Sequence, residues 1–312
     1  MFCIIAFVVL SIIAIFNVSY RELAKEAYDC VFRRITRRPC NTGFKEKMKA
    51  KIVGKVLNRS ALIAKLLNKN FETLSWILFL ATIASIFWTG KGLFNFYMYG
   101  SCNGLNKSGF CALDPKGENN KVSTAGGSCG IGEGDESKVT LNNVNLSLFP
   151  TQNNDSKDNV VLIGCYSCDY TRKAYPLIKK LISENKVNYT FAHYPVKEET
   201  LYLLPIGYCA YKQGAYKEDQ NKFWQLNDKL FESSKEDIAK REFVDNLLKD
   251  IGYDVSKINS CSTSKETNNA IVERRIELEK TNIYGTPLIF INGKGLVGPK
   301  PYRVYERILN GW

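Results

Sequence analysis

Two cysteines separated by two residues form the pattern in this sequence that is best suited to chemistry. Cys165 and Cys168 enclose Tyr166-Ser167 and follow the apolar run 160–163, which predicts a short buried strand. Residues 169–182 have the pattern of a helix, so the pair is expected where a strand passes into a helix. A helix N-terminus presents free N–H groups and a positive partial charge, which stabilise a thiolate at Cys165. Cys168 is then placed to resolve a mixed disulfide, and the pattern favours thiol–disulfide exchange.

A second motif lies near the C-terminal end. Thr286-Pro287 leads into the apolar run 288–291, and Asn292-Gly293 follows it as a typical hairpin turn. A proline at the start of a strand indicates a special backbone position, and a cis peptide bond is one form that it takes. The long interval between Cys168 and Pro287 contains helix-like segments at 201–214, 222–233, 238–250 and 267–281.

The two motifs together resemble the thioredoxin superfamily, and the helical interval makes the likeness DsbA-like. The resemblance covers about 160–312 and rests also on Tyr208-Cys209, Phe223-Trp224 and Ser260-Cys261. It implies an α/β thioredoxin-like fold with a helical domain inserted at about 200–280. It also implies that Thr286 and a cis Pro287 face the cysteine pair and dock the substrate backbone. The activity implied is disulfide exchange in protein substrates, without a bound cofactor.

One departure from the resembled family concerns the two residues between the cysteines. Many DsbA-like enzymes carry Pro-His there, and the histidine stabilises the thiolate strongly. This sequence has Tyr166-Ser167 instead, and Ser167 offers only a hydroxyl. We therefore expect a disulfide that is less oxidising than that of a strong oxidase. Forming, isomerising and reducing disulfides all stay open.

Other cysteines are candidates for structural disulfides. Cys102, Cys111 and Cys129 lie in a segment rich in Gly, Asn and Ser. Cys102 and Cys111 would close the shortest loop, which favours this pair, although one of the three must then lack a partner among them. Cys209 and Cys261 either form a second disulfide within the helical insertion or stay as two buried thiols.

Two apolar runs predict membrane-spanning helices. Residues 2–18 are apolar except for Ser11 and Asn17, and no small-residue cleavage site follows them. The run 74–89 contains Trp76 and Trp88, and aromatic residues at both ends are typical of membrane interfaces. A buried core helix is the alternative for this second run.

The charge distribution predicts the orientation. The formal net charge is +12, and 14 of the 43 Lys and Arg residues but only 4 of the 31 Asp and Glu residues lie within 20–71. Short basic loops stay cytoplasmic, so this charge indicates membrane topology rather than nucleic-acid binding. Apolar residues spaced mostly by four from Phe44 to Leu67 predict an amphipathic helix, which lies on the inner leaflet or packs on a partner subunit.

These patterns predict five segments. They are a first transmembrane helix, a basic cytoplasmic loop, a second transmembrane helix, an extracytoplasmic spacer and a DsbA-like domain: 1–19, 20–71, 72–99, 100–158 and 159–312. The N-terminal half, with its Tyr99-Gly100-Ser101-Cys102 run, resembles archaeal membrane-tethered thioredoxin-like proteins. Expected partners are the lipid bilayer, extracytoplasmic protein thiols and disulfides, and a membrane redox protein that recycles the Cys165/Cys168 pair; nucleic acid is not among them.

Two rival interpretations use the same fold. In the first, Cys165 and Cys168 hold a soft metal such as Cu(I) for delivery. The sequence has a single histidine, His193, which excludes a multi-histidine centre and is expected to be a packing residue on a strand, so we predict no metal site. In the second rival, the domain is redox-inert and serves only for interaction.

Overall fold

The computed structural model describes residues 2–36, 38, 43–58, 60–107, 109–123, 129–130, 138–216 and 221–311. The chain forms two compact units, Met1–Lys91 and Gly92–Trp312.

The first unit is helical. Its helices are α1 Phe2–Phe16, α2 Arg21–Ile35, α3 Phe44–Leu57, α4 Ala61–Lys69 and the first part of α5 Phe71–Tyr99. Helices α1, α2 and α3 share one small apolar cluster, to which each contributes buried side chains: Ala6, Leu10, Leu23, Ala27, Cys30 and Phe44. The amphipathic stretch predicted as one helix is therefore two, α3 and α4, because the helix breaks between Leu57 and Ala61, where Ser60 is the N-cap of α4.

One described helix has the length and composition of a membrane span. Helix α5 has 29 residues, and none of its most apolar part is buried within the protein. Helix α1 has 15 residues and is about 22 Å long, which is short of the ~30 Å hydrocarbon core of a bilayer. The prediction of two transmembrane helices thus finds support at α5 only, within the described part of the chain.

The second unit is built on a five-stranded sheet. Its strands are β3 Thr151–Gln152, β4 Asn159–Gly164, β5 Asn188–His193, β6 Leu288–Ile291 and β7 Lys294–Val297, in the order β3-β5-β4-β6-β7. Strands β4 and β5 are parallel, and the other neighbours are antiparallel. A separate pair joins β1 Val122–Ser123 to β2 Cys129–Gly130.

Helices cover the sheet and fill the interval between β5 and β6. Helix α6 Asp169–Glu184 connects β4 to β5, and α13 Tyr302–Leu309 closes the chain. The remaining helices form the predicted insertion: α7 Leu203–Tyr216, α8 Asn221–Glu232, α9 Lys235–Ile238, α10 Arg241–Asp250, α11 Val255–Ser262 and α12 Lys265–Glu279. This is the predicted α/β architecture with a helical insertion.

Strand β4 is covered on both faces, which explains its unbroken apolar sequence. Val160 and Leu162 point into a core shared with the helices of the insertion, whereas Val161 and Ile163 point into a second core. Successive side chains of a strand face opposite sides, so a strand that is covered on both faces needs apolar residues at every position.

Part of the predicted spacer 100–158 belongs to the second unit and packs on its sheet. Asn106 donates to the carbonyl of Gly295 at 2.7 Å and accepts from the backbone N–H of Val297 at 2.9 Å, which binds this segment to β7. Val122 is 1% exposed within the second core. Amide side chains hold this polar segment on the sheet, a role that composition alone did not indicate.

Two disulfides lie in the second unit. Cys102 is joined to Cys111, and Cys209 of α7 is joined to Cys261 of α11. The backbone of Cys129 is part of β2, and its side chain lies outside the described part of the protein.

We predict that the Cys209–Cys261 bond is the more stabilising of the two. It joins residues 52 positions apart, whereas Cys102–Cys111 joins residues nine apart, and a longer closed loop restricts the unfolded chain more. Replacing Cys209 and Cys261 by alanine should lower the free energy of unfolding by about 2–4 kcal/mol, and by ~1.5 kcal/mol more than the matched double variant of Cys102 and Cys111. Urea unfolding of the full chain in detergent measures both, and an equal loss would contradict the prediction.

Candidate active site

The cysteine pair lies at the junction of β4 and α6. Cys165 directly follows β4, and Cys168 is the N-cap of α6, with its Sγ accepting from the backbone N–H of Thr171 at 3.4 Å. The Thr171 hydroxyl accepts from the backbone N–H of Cys165 at 3.4 Å. A Cβ at Gly164 would lie 2.5 Å from Cγ2 of Thr171, so glycine is what allows the helix to begin this close to the strand.

Two hydroxyl groups lie beside the Cys165 sulfur. Its Sγ is 3.4 Å from Oγ of Ser167 and 3.6 Å from Oγ1 of Thr200. The Thr200 hydroxyl also donates to the carbonyl of Lys197 at 3.1 Å. A hydroxyl carries one proton, so Thr200 has none left for Cys165, whereas Ser167, which also lies 3.4 Å from Oγ1 of Thr200, is able to donate to a Cys165 thiolate. No sequence motif pointed to Thr200, which lies in the short helical turn Glu198–Thr200 before α7.

The Thr286-Pro287 motif lies beside the other cysteine. The peptide bond between them is cis, and the Cys168 thiol is 3.2 Å from the carbonyl oxygen of Thr286. The same thiol is 3.3 Å from Oγ of Ser123. The structure thus brings Thr286 and Pro287 to the pair Cys165 and Cys168, all of which the sequence singled out. It adds Ser123 from the segment predicted as a spacer.

Both thiols are buried. Cys165 and Cys168 are each 0% exposed, and they pack with Val196, Tyr170 and Tyr194. A protein substrate therefore reaches either sulfur only after part of this cover moves.

Tyr166 is a packing residue. Its ring lies 4.8 Å from that of Phe231 and 4.5 Å from that of His193, and its hydroxyl donates to Oδ1 of Asn227 at 2.9 Å. Burial raises the pKa of Tyr166 well above its ordinary value, so the phenol is neutral. Tyr166 fixes the loop between the cysteines against the helical insertion.

A half-buried guanidinium contacts the loop between the cysteines. Arg172 donates to the carbonyls of Tyr166 at 2.5 Å, Leu230 at 3.2 Å and Phe231 at 3.1 Å. Burial lowers the pKa of Arg172, and the charges of Asp169 and Cys165 act in the opposite direction. An arginine stays charged at neutral pH, so Arg172 places a positive charge beside the loop between the cysteines. Its place in the first turns of α6 was the only signal of this role in the sequence.

His193 lies at the end of β5. Both of its ring nitrogens are buried and have no hydrogen-bond partner among the described residues. Burial lowers the pKa of His193 to about 3, so the imidazole is neutral at physiological pH. The described residues bring no group of three His, Cys, Asp or Glu side chains together, so the copper alternative finds no further ligand of these types beside Cys165 and Cys168.

A cavity of about 400 Å³ adjoins the cysteine loop. Tyr166, Val196 and His193 form one side of it, and α7 and α12 form the other. Most of its wall is apolar, so it offers space for an apolar side chain next to the cover of Cys165.

Comparison with known proteins finds a matching family and two similar proteins of Bacillus. The family described as Thioredoxin matches residues 153–311. Disulfide bond formation protein D of Bacillus subtilis is 29% identical over 49% of this chain and 70% of its own length. Probable disulfide bond formation protein D of Bacillus anthracis is 26% identical over 46% of this chain and 71% of its own length.

Solved structures match about half of the chain. The thiol-disulfide exchange protein alpha-DsbA2 from Wolbachia pipientis is 21% identical, with a TM-score of 0.45, over 52% of this chain and 86% of that one. The family match extends over about half of the chain and includes β4, the cysteine pair, the helical insertion and Pro287. The chain therefore belongs to the thioredoxin family.

Proposed function

We propose that this protein is a membrane-anchored thiol–disulfide oxidoreductase that acts on extracytoplasmic proteins through Cys165 and Cys168. The observation that carries the proposal is a dithiol at the start of α6, with the Ser167 hydroxyl on one sulfur and the Thr286 carbonyl on the other. The two Bacillus relatives are named for disulfide bond formation, which supports oxidation as the direction.

The reaction proceeds by two exchanges at sulfur. A substrate thiolate attacks Sγ of Cys165 in the oxidised pair, the Cys165–Cys168 bond breaks, and Cys168 leaves as a thiolate. A second substrate thiolate then attacks the substrate sulfur of the mixed disulfide and releases Cys165. The substrate gains a disulfide, and the pair gains two electrons that a membrane redox partner removes. Ser167 stabilises Cys165 as the leaving thiolate.

Helix α5 is the proposed anchor. The basic region 20–71 precedes it, and positively charged segments next to a span stay in the cytoplasm. The cysteine pair and both disulfides follow α5 in sequence, so this orientation places them in an oxidising compartment. The compartment that this orientation assigns to the cysteine pair is therefore one in which disulfides form and persist.

We predict that protease added outside intact spheroplasts digests the domain that contains Cys165 and spares an epitope inserted in the basic region. The positive charge before α5 is the physical reason, because it resists translocation. Permeabilised spheroplasts, in which both parts are digested, are the control. A protected catalytic domain would contradict the proposed orientation.

We predict that Cys165→Ala reduces oxidation of a reduced dithiol peptide to the uncatalysed rate, because Cys168 alone cannot form the disulfide that a substrate thiolate attacks. Cys168→Ala should instead accumulate a mixed disulfide with a peptide whose single cysteine is activated as a disulfide with thionitrobenzoate. Cys165 displaces thionitrobenzoate as a thiolate, and no thiol remains at 168 to displace the peptide. Non-reducing gels and peptide oxidation by the full chain in detergent measure the two effects.

The double variant Cys102→Ala/Cys111→Ala is the matched control and should retain the peptide-oxidising activity. If Cys165→Ala were as active as the unmodified protein, the proposed function would be wrong.

We predict that Ser167→Ala makes the pair less oxidising. Its hydroxyl is the donor to Cys165, so its loss destabilises the reduced form by about 1 kcal/mol, which lowers the reduction potential by about 20 mV. Equilibration with glutathione buffers measures this potential. Ser183→Ala, at the far end of α6, is the control and should leave it unchanged. A potential that rises in Ser167→Ala would contradict the role given to Ser167.

A further inference from the structure

The backbone of Thr286, which lies beside the reactive cysteine pair, is already paired with strand β1. The backbone N–H of Ser123 donates to the carbonyl of Thr286 at 2.9 Å, and the N–H of Thr286 donates to the carbonyl of Ser123 at 2.9 Å. Both backbone hydrogen-bonding groups of Thr286 are therefore engaged by β1. Ser123 also places its Oγ 3.3 Å from Sγ of Cys168.

Two glycines pack closely against β1 and the residues just before it. A Cβ at Gly285 would lie 2.7 Å from Cγ2 of Val122 and 2.8 Å from the carbonyl of Ser123. A Cβ at Gly298 would lie 2.7 Å from the carbonyl of Lys121. Gly285 thus leaves room for β1 and Gly298 for the residues just before it, and the Val122 side chain is buried in the second core. The pairing is specified by several residues rather than by one contact.

This place is also where an extended substrate would bind. Extended peptides bind to proteins by adding a strand to an exposed main chain. Thr286 is the extended segment nearest the pair, with its carbonyl 3.2 Å from Cys168. A substrate strand and β1 would need the same N–H and the same carbonyl, so only one of them pairs with Thr286 at a time.

We propose that Val122 and Ser123 are specificity-determining residues, which occupy the docking edge as an internal competitor that each protein substrate must displace. This inference rests on the proposed function. Among proteins it selects extended, unfolded chains, because these are able to replace both backbone hydrogen bonds, whereas folded proteins without an extended segment gain nothing to offset the loss of β1. Small thiols and small disulfides do not pair with Thr286, so they react without displacing β1.

Amide hydrogen exchange on a trapped complex tests the displacement. Full-length Cys168→Ser protein in detergent is reacted with an extended peptide whose single cysteine is activated as a mixed disulfide with thionitrobenzoate. Cys165 attacks the peptide sulfur, thionitrobenzoate leaves as the free thiolate, and a Cys165–peptide disulfide remains. The same protein without the peptide is the reference.

The inference expects opposite behaviour at two amides. In the free protein, the amides of Ser123 and Thr286 should both be protected, because each donates across the β1 pairing. In the trapped complex, Ser123 should exchange faster, whereas Thr286 should stay protected by the peptide. If the complex forms and the Ser123 amide stays protected, the internal competitor is refuted and the proposed function stands. If no Cys165–peptide disulfide forms, the proposed function itself fails.

Rates with two kinds of substrate provide an independent measurement. Ser123→Pro removes the N–H that donates to Thr286, whereas Ser123→Ala keeps it and removes only the hydroxyl. The ratio of the rate with the peptide disulfide to the rate with a small disulfide should rise about tenfold in Ser123→Pro, the factor that corresponds to one lost hydrogen bond. The ratio should change less in Ser123→Ala. A folded Ser123→Pro protein with an unchanged ratio would overturn the inference.

Discussion

The close contact between the end of β4 and the start of α6 is the constraint on which the rest of the site depends. Thr171 lies against Gly164 and accepts from the backbone N–H of Cys165, while Cys168 caps the same helix turn. This contact fixes both sulfurs relative to the helix N-terminus, where free N–H groups and the helix dipole favour a thiolate. A larger side chain at 164 would push α6 away from β4. Cys168 could then no longer cap the helix and stay beside Cys165 at the same time.

The polar surroundings of the pair are hydroxyl groups and one half-buried cation rather than an imidazole. The Ser167 hydroxyl lies 3.4 Å from the Cys165 sulfur, and Arg172 lies one turn into α6 with its charge held by backbone carbonyls. His193, the single histidine, is neutral and packs on Tyr166. A hydroxyl stabilises a thiolate less than a charged imidazolium does, so the expectation of a pair that is less oxidising than that of a strong oxidase stays a prediction.

Local patterns in the sequence were sufficient to predict β4, α6, β6 and the helical insertion, because apolar runs and helix periodicity directly reflect burial. The meeting of Cys168 with Thr286 was available only through resemblance to a family. Thr200 and Ser123 could not be predicted, because their roles depend on contacts between segments distant in sequence. The first predicted membrane span is not confirmed, because an apolar run also packs on a neighbouring helix, as α1 does on α2.

Charge along the chain explains why recognition by the main chain suits this protein. Outside 20–71 the sequence has 29 Lys and Arg against 27 Asp and Glu residues, so the part that follows α5 carries little net charge to attract a particular class of substrate. Backbone hydrogen bonds are indifferent to side-chain identity, so recognition by the main chain would not restrict the enzyme to one substrate sequence. The same bonds would pair Thr286 with any extended segment, which makes β1 the element that sets how readily a substrate enters.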